Sequence, residues 1–192
     1  MEENLSKFAR EFRNNQYDIS DDGRIYMPKS KIFLGGVFTH DVLRDGSLLG
    51  EQSDHNIVVN EGLDHILSAV FNAGTQITAW FVGIYEGNYT PVATDTAANI
   101  AANATESTAY DETVRPAWVE AAPSSQQITN SASKATFTMN ATKTIYGAFL
   151  ASSSTKGGTA GTLMSASKFA ASRDVVAVDQ LLMTYTISAA DA

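Results

Sequence analysis

The chain has no cysteine and no long apolar run. The missing cysteines exclude disulfides and thiolate metal sites, which fits assembly in a reducing compartment. The longest apolar runs, such as Trp80–Tyr85, fall far short of the ~20 residues that a membrane-spanning helix requires. The first residues also lack the apolar segment of a secretion signal. We therefore expect a protein that is made in the cytoplasm and does not enter a membrane.

Positive charge is scarce as well. The sequence has 13 Lys and Arg against 21 Asp and Glu, which gives a net charge of −8. Proteins that bind nucleic acid concentrate positive charge, so we do not expect a nucleic-acid partner. Charged residues are only 18% of the chain and crowd its first 65 positions, and Thr, Ser and Ala dominate after about residue 75. Thr-rich sequence with little charge is typical of β-sheets.

The stretch 60–85 contains the clearest helix signal and the clearest strand signal. Apolar residues at a spacing of three and four predict a helix at about 60–74, with Asn60 as its N-cap and Gly74 at its end. The apolar stripe consists of Leu63, Ile66, Leu67, Val70 and Phe71. We expect this stripe to pack the helix against the β domain. Residues 77–85 then change to a period of two with both faces apolar, which predicts a central strand covered on both sides.

Other strands are short and separated by turn signals. Asp45-Gly46 between two apolar-rich runs predicts a hairpin, and Pro116 makes 114–119 an edge strand. The loop-rich region 86–113 should wrap over a surface or carry function. Further strands are predicted at 56–59, 127–131, 134–140, 144–152, 162–165, 175–178 and 180–188, with a flexible Gly-rich loop at 154–162. Many short, closely spaced strands indicate a mainly β protein with a β-sandwich or barrel.

The predicted layout is an N-terminal arm at 1–30, a hairpin lead-in at 31–55 and a β-sandwich domain at 56–192. The arm begins with one short amphipathic stripe that is too small to fold alone. It has more apolar area than a free tail should expose, and extended backbone at 24–37 could add to the sheet edge of another subunit. We therefore predict that the arm contacts a partner. The predicted contact residues are Phe8, Phe12, Tyr26, Ile32 and Phe33.

Histidines and acids are the first candidates for chemistry. Each of the three histidines adjoins an acid, in His40-Asp41, Asp54-His55 and Asp64-His65. Such pairs could supply metal ligands, but neighbouring residues point in different directions on a strand or a helix. No pair forms a site by itself. The acids Glu106, Asp111, Glu112 and Glu120 also lack the spacing of a calcium-binding loop.

Aromatic residues and nucleophiles give no stronger signal. The aromatics could line a carbohydrate groove, but core packing explains them more economically. They are Tyr85, Tyr89, Tyr110 and Trp118. We find neither a nucleophile-elbow motif nor a phosphate-binding loop. The sequence therefore predicts a protein that is not an enzyme and has no catalytic residue, cofactor or metal.

A series of short motifs runs through the β domain. It consists of NIVVNEGL at 56–63, WFVGIYEGNYTP at 80–91, ATDT at 93–96, Glu106 with Tyr110, RPAW at 115–118, ITNS at 128–131, ATKTIYG at 141–147, and residues 155–162. Taken together, the series resembles the capsid cement, or decoration, proteins of tailed bacteriophages. The resemblance covers nearly the whole β domain.

The resemblance implies a small β-sandwich or jelly-roll subunit that binds the outside of the assembled head. Such a subunit clamps neighbouring major capsid proteins non-covalently and usually forms a dimer or a trimer. The implied partners are the major capsid protein and copies of the chain itself, and the implied location is the capsid exterior of the virion. Two alternatives stay open. One is a tail or head-fibre component that binds host glycans, and the other is a metal-dependent hydrolase that uses the His/Asp pairs.

Overall fold

A computed structural model describes residues 32–191 of the chain, together with residues 18–19 and 25–26. Within these residues it has twelve strands and two helices. The elements are β1 (Asp18–Ile19), β2 (Ile25–Tyr26), β3 (Ile32–Arg44), β4 (Ser47–His55), β5 (Ile57–Val58), α1 (Asn60–Phe71), β6 (Trp80–Tyr85), α2 (Ile100–Asn103), β7 (Ala117–Trp118), β8 (Gln127–Thr129), β9 (Ala135–Thr138), β10 (Lys143–Ala151), β11 (Leu163–Val175) and β12 (Gln180–Asp191).

The chain divides into two compact units, which are residues 1–33 with 190–192 and residues 34–189. In the first unit, β1 and β2 pair in antiparallel fashion, with Asp18 opposite Tyr26. The second unit contains both helices and the two sheets described below, apart from the first two residues of β3 and the last two of β12.

Two antiparallel sheets form the body of the protein. Sheet I has the strand order β4-β3-β12-β8, with β9 also paired to β12, and sheet II has the order β5-β11-β10-β6-β7. Both sheets contribute to one hydrophobic core, with Phe38 and Phe137 from sheet I and Val82 and Leu150 from sheet II. The fold is therefore mainly β and sandwich-like, as the strand pattern predicts.

The hairpin predicted as a lead-in supplies two strands of sheet I. β3 and β4 pair from Val37 opposite His55 to Arg44 opposite Ser47. Asp45 and Gly46 connect them with φ angles of 50° and 74°. Left-handed conformations at both central residues match the right-handed twist of the flanking strands, which is why Asp-Gly favours this turn.

The outer face of sheet II is covered by the region between β6 and β7. Ile100 and Ala104, in and after α2, pack with Tyr85 and Phe149 in a second hydrophobic cluster. Val82 on the other face of β6 packs in the core between the sheets. The prediction that this strand is covered on both sides is confirmed, although the strand begins at Trp80 and not at Ile77.

β11 is longer than the sequence predicts. The two separate strands expected at 162–165 and 175–178 are wrong, because Leu163–Val175 is one strand that pairs along β10. Its buried part includes Ser165, Ala166 and Ser167, which are small or polar and give no hydrophobic signal. Val178 lies in the turn after the strand with φ of 70°.

The ends of α1 also differ from the prediction. The N-cap is Val59, which has no side chain able to cap, and Asn60 is the first helical residue. At the other end Ala73 takes the left-handed conformation with φ of 50°, and the Gly74 N–H donates to the Ser68 carbonyl at 2.9 Å. Alanine thus stands at the position after the C-cap that favours glycine, and the closing bond spans one residue more than the usual six-to-one bond. Among the described residues, no helix is long and apolar enough to cross a membrane.

Candidate interaction surfaces

The five predicted contact residues have different outcomes. Phe8 and Phe12 lie outside the described residues. Tyr26 is placed only by its backbone, which pairs with Asp18 in β2. Ile32 and Phe33 begin β3 and are 81% and 61% exposed. Large apolar side chains with this exposure are available for contact, and their role as contacts stays a prediction.

The outer edge of sheet I is formed by β4, a strand of nine residues. Leu48 and Leu49 near its start are 57% and 54% exposed. Proteins usually protect a long edge strand with proline, lysine or a covering segment, because its free N–H and C=O groups can pair with another chain. β4 contains neither proline nor lysine. Side chains of β11 already bond to the later part of the strand, since Arg173 donates to the Gly50 carbonyl at 3.5 Å and Ser167 donates to the His55 carbonyl at 2.8 Å. The exposed start of β4 is therefore the part that another extended chain can approach.

A second surface is the outer face of α1, which we define as Leu63, Leu67, Val70 and Phe71. These side chains are 39%, 56%, 65% and 80% exposed. The stripe predicted to pack against the β domain therefore points largely into solvent, and this part of the prediction is wrong. Only Ile66 of the predicted stripe packs against the core.

The reason for this orientation lies on the inner side of α1. Gly62 is buried, and a Cβ atom built on it would lie 2.4 Å from the carbonyl oxygen of Met164 in β11. The helix thus contacts the backbone of β11 through its smallest residue. His65 adds an edge-on contact with the Trp80 ring at 5.7 Å between centroids. The close approach of the α1 and β11 backbones at Gly62 therefore replaces packing by large apolar side chains.

Glu61 fixes the first turn of α1 to two other segments. Its Oε2 accepts the Ala97 N–H at 2.8 Å and the Leu163 N–H at 2.7 Å. The sequence favours an acid at this position because of the helix dipole. In the structure the carboxylate also accepts hydrogen bonds from these two backbone N–H groups.

His40 is the only one of the three histidines in the His/Asp pairs that is fully buried. Arg173 Nε–H donates to His40 Nδ1 at 2.8 Å, so the ring proton is on Nε2, which donates to Asp54 at 2.8 Å. Asp54 also accepts the Ala170 N–H at 2.8 Å. The network therefore joins the β3–β4 hairpin to β11. Burial, opposed by the hydrogen bond to Asp54, lowers the pKa of His40 below 6.5.

His40 pairs with Asp54 and not with Asp41, its neighbour in the sequence. Asp54 lies opposite Phe38 across the hairpin, two residues from His40 on the same strand face. His55 and His65 do not join this network, and no group of three His, Cys, Asp or Glu suited to a metal occurs among the described residues. The hairpin signal at Asp45-Gly46 does not predict this proximity, because an irregularity between Val42 and Leu43 shifts the register by one residue. Without that shift Asp54 would lie opposite Val37, on the other face of the hairpin.

Arg115 organises a second buried network. Its guanidinium forms two bonds to Glu106, at 2.8 and 2.6 Å, and the two side chains are only 1% and 2% exposed. It also donates to the carbonyls of Ser153 at 2.9 Å and Gly158 at 3.0 Å. The Gly157 N–H donates to Glu106 at 3.0 Å. Residues 154–162 form a loop as predicted, and this network holds it against the sandwich.

The remaining candidates serve packing or local hydrogen bonds. Tyr85, Tyr110 and Trp118 are at most 5% exposed, so core packing explains these three aromatics, as the sequence favours. Tyr89 is partly buried and its hydroxyl donates to Asp95 at 2.9 Å. Of the four acids considered for calcium, Glu106 is bound by Arg115, Glu112 accepts the Thr138 N–H at 3.0 Å, and Asp111 and Glu120 are exposed.

Comparison of the sequence with known protein families finds no matching family model. A comparison with curated proteins finds no similar sequence.

Proposed function

We propose that the protein is a bacteriophage capsid cement protein, which binds the outside of the assembled head and clamps neighbouring major capsid proteins non-covalently. The motif series from Asn56 onward supports the family. The binding in this proposal uses the arm together with one sheet edge. In this proposal the binding stabilises the shell and involves no chemical reaction.

The observation that carries the proposal is the exposed start of β4 at the outer edge of sheet I. An edge strand offers a row of main-chain donors and acceptors to an extended segment of a capsid subunit. Exposed Leu48 and Leu49 supply apolar area beside this row. Main-chain pairing gives affinity, and side chains on alternate positions give specificity.

The exposed start of β3 is the second support. Ile32 and Phe33 follow directly on the arm in the sequence, and their exposure suits contact with another protein. The buried networks around Arg115 and His40 support the proposal in another way. They tie loops and both sheets together, and a rigid body loses little conformational entropy on binding.

Deletion of residues 1–30 tests the role of the arm. The truncated protein is mixed with capsids that lack the cement protein, and co-sedimentation of the capsids measures binding. We expect a folded β domain by circular dichroism that no longer coats the shells. Saturation of the shells with unchanged affinity would contradict the arm's role.

A double substitution, Leu48→Ser with Leu49→Ser, tests the β4 edge. Because both side chains are about half exposed, the fold should persist while capsid affinity falls by about tenfold or more, as expected for loss of apolar contacts at an interface. Val178→Ser is the matched control, since Val178 is 76% exposed in the turn after β11. Equal binding by all three proteins would exclude β4 as the docking edge.

A further inference from the structure

We propose that His40 and Arg173 form a pH-sensitive clasp between the β3–β4 hairpin and β11, in which protonation of the His40 ring releases Arg173. The clasp is closed while the ring is neutral, and it opens locally while the rest of the protein stays folded. This inference concerns the free protein in solution. It does not depend on capsid binding, so each can fail without the other.

The Arg173 side chain reaches from β11 to both strands of the hairpin. Its Nε–H donates to His40 Nδ1 at 2.8 Å, and its Nη2 donates to the His40 carbonyl at 3.2 Å. Nη2 also donates to the Gly50 carbonyl of β4 at 3.5 Å, and a Cβ atom built on Gly50 would lie 3.6 Å from Nη1. One guanidinium, which keeps its charge at any pH that the folded protein tolerates, therefore connects three strands.

The imidazole ring of His40 is held from several directions. Its Nε2–H donates to Asp54 at 2.8 Å, and the Phe169 ring stacks on it with 3.7 Å between centroids and 18° between planes. The side chain is fully buried. Because the ring cannot turn away without losing these contacts, a change in its protonation state has to be accommodated by its neighbours.

Protonation converts the acceptor of the Arg173 bond into a donor. Two positively charged N–H groups would then face each other across 2.8 Å, and neither would have an acceptor. Like charges this close in a buried site repel each other. On the other side of the ring, the bond from Nε2 to Asp54 becomes charge-assisted and stronger. His40 therefore stays with Asp54, and Arg173 is the partner that leaves.

The charged groups around the clasp determine the direction of the pH effect. Burial and Arg173 of β11 oppose the protonated ring, whereas Asp54 of β4 and Asp41 of β3 favour it. Asp41 is already paired with Lys134 at 2.5 Å. Burial is the largest of these effects and lowers the pKa of His40 below 6.5. The clasp is therefore closed above pH 6.5 and opens as the pH falls through the folded-state pKa.

The opening is confined to the middle of the hairpin. Ser167 Oγ–H donates to the His55 carbonyl at 2.8 Å and does not involve Arg173, so β11 stays attached to the end of β4. Arg173 is only partly buried, and its guanidinium can move into solvent. The Gly50 carbonyl then loses its side-chain partner. We therefore expect acid to extend the free part of the β4 edge from its exposed start through Gly50.

Nuclear magnetic resonance of the full-length chain tests the clasp in one titration, from neutral pH downward until the chain unfolds. The ring nitrogen shifts of His40 report its protonation, and the Arg173 Nε–H shift reports its hydrogen bond. We expect the Arg173 shift to move to the value of exposed arginines with the same midpoint as His40, while the backbone amide signals stay dispersed. Arg44, whose Nε–H donates to Asp179 at 2.8 Å, is the internal control and should keep its shift.

Arg173→Met tests the opposition between the two side chains. Without the second donor and its charge, the pKa of His40 should rise by about one pH unit or more. Lys168→Met is the matched control, because it removes the same charge from an exposed position of the same strand. Solvent screens an exposed charge, so this variant should leave the pKa of His40 nearly unchanged.

The proposal is wrong if Arg173 keeps its Nε–H shift while His40 takes up a proton, because the clasp then stays closed. It is equally wrong if His40 stays neutral until the amide signals collapse, or if Arg44 moves together with Arg173, because no local opening then exists. An unchanged pKa of His40 in Arg173→Met would show that the guanidinium does not oppose protonation. If that variant does not fold, the titration of the natural chain decides alone.

Discussion

The Arg115 network and the outer face of α1 lie at opposite extremes of solvent exposure. Around Arg115, a guanidinium and a carboxylate are 1% and 2% exposed, and hydrogen bonds with Ser153, Gly157 and Gly158 of one loop offset their desolvation. On α1, four large apolar side chains face the solvent. The buried charges of this irregular region are therefore paired and hydrogen-bonded, whereas the regular helix exposes apolar surface. Order in a protein does not require regular secondary structure, and a well-formed helix does not imply a buried apolar face.

The largest expected effect concerns Arg115. Arg115→Ala leaves Glu106 buried without its partner, so we expect a loss of about 3–5 kcal/mol in the free energy of unfolding. Urea denaturation measures this loss. Lys143→Ala is the control, because its ion pair with Glu86 at 2.9 Å is partly exposed and should contribute less than about 1 kcal/mol. Similar losses for both variants would mean that the Arg115 network does not hold the loop.

Gly62→Ala tests the inner side of α1. Alanine normally stabilises a helix relative to glycine, by up to about 1 kcal/mol. Here the added Cβ would lie 2.4 Å from the Met164 carbonyl oxygen, so we expect a net loss of about 1–3 kcal/mol from overpacking. Gly35→Ala is a matched control, because a Cβ atom at that position would have no other atom within 4 Å. A stabilised Gly62→Ala protein would show that the helix sits further from β11.

The His40 network should make the free energy of unfolding depend on pH. Burial lowers the pKa of His40, so below about pH 6.5 the unfolded chain binds a proton that the folded chain does not. Stability is therefore complete above pH 6.5 and falls as the pH drops through the folded pKa, by at most about 1.4 kcal/mol per pH unit. The neighbouring charges are Asp54, Asp41 and Arg173.

Urea denaturation between pH 7 and pH 5 measures this dependence. His40→Gln should reduce the slope, since glutamine can donate and accept without titrating. His55→Gln is the control, because His55 is exposed and lies outside the network. If the two variants have the same slope as the natural chain, His40 does not determine it.

The smallest effect is expected on the outer face of α1. Leu67→Ser should change the free energy of unfolding by less than about 0.5 kcal/mol, as surface substitutions do. A buried leucine replaced by a small residue would lose about 2–5 kcal/mol. A large loss in urea denaturation would place Leu67 in the core.

The sequence predicted those features that depend on local chemistry. The strands predicted at 134–140 and 180–188 correspond to β9 and to most of β12, and Asp45-Gly46 identified the hairpin. The sequence-based prediction was wrong where a contact between residues far apart in the chain determines the structure. Whether the α1 stripe faces inward depends on how closely Gly62 approaches β11, and the small buried residues of β11 give no periodic signal.

The candidate surfaces show the same division. The exposure of Ile32 and Phe33 agrees with the expectation of available apolar residues, although their partner stays a prediction. The edge position of β4 was not recognised, because it is set by strand order and not by any residue within the strand. The partnership of Arg115 with Glu106 was missed for a related reason, since the intervening loop has no periodicity from which to infer a contact.

Glu61 gives the outer face of α1 a mechanical property. Because one carboxylate oxygen holds the N–H groups of Ala97 and Leu163 while its backbone is part of the helix, α1 cannot tilt without breaking bonds to the loop and to β11. The apolar row is thus preorganised at a fixed angle before any partner arrives. When a partner binds this row, only the partner loses conformational entropy. This favours fast docking and reversible release over slow rearrangement of both proteins.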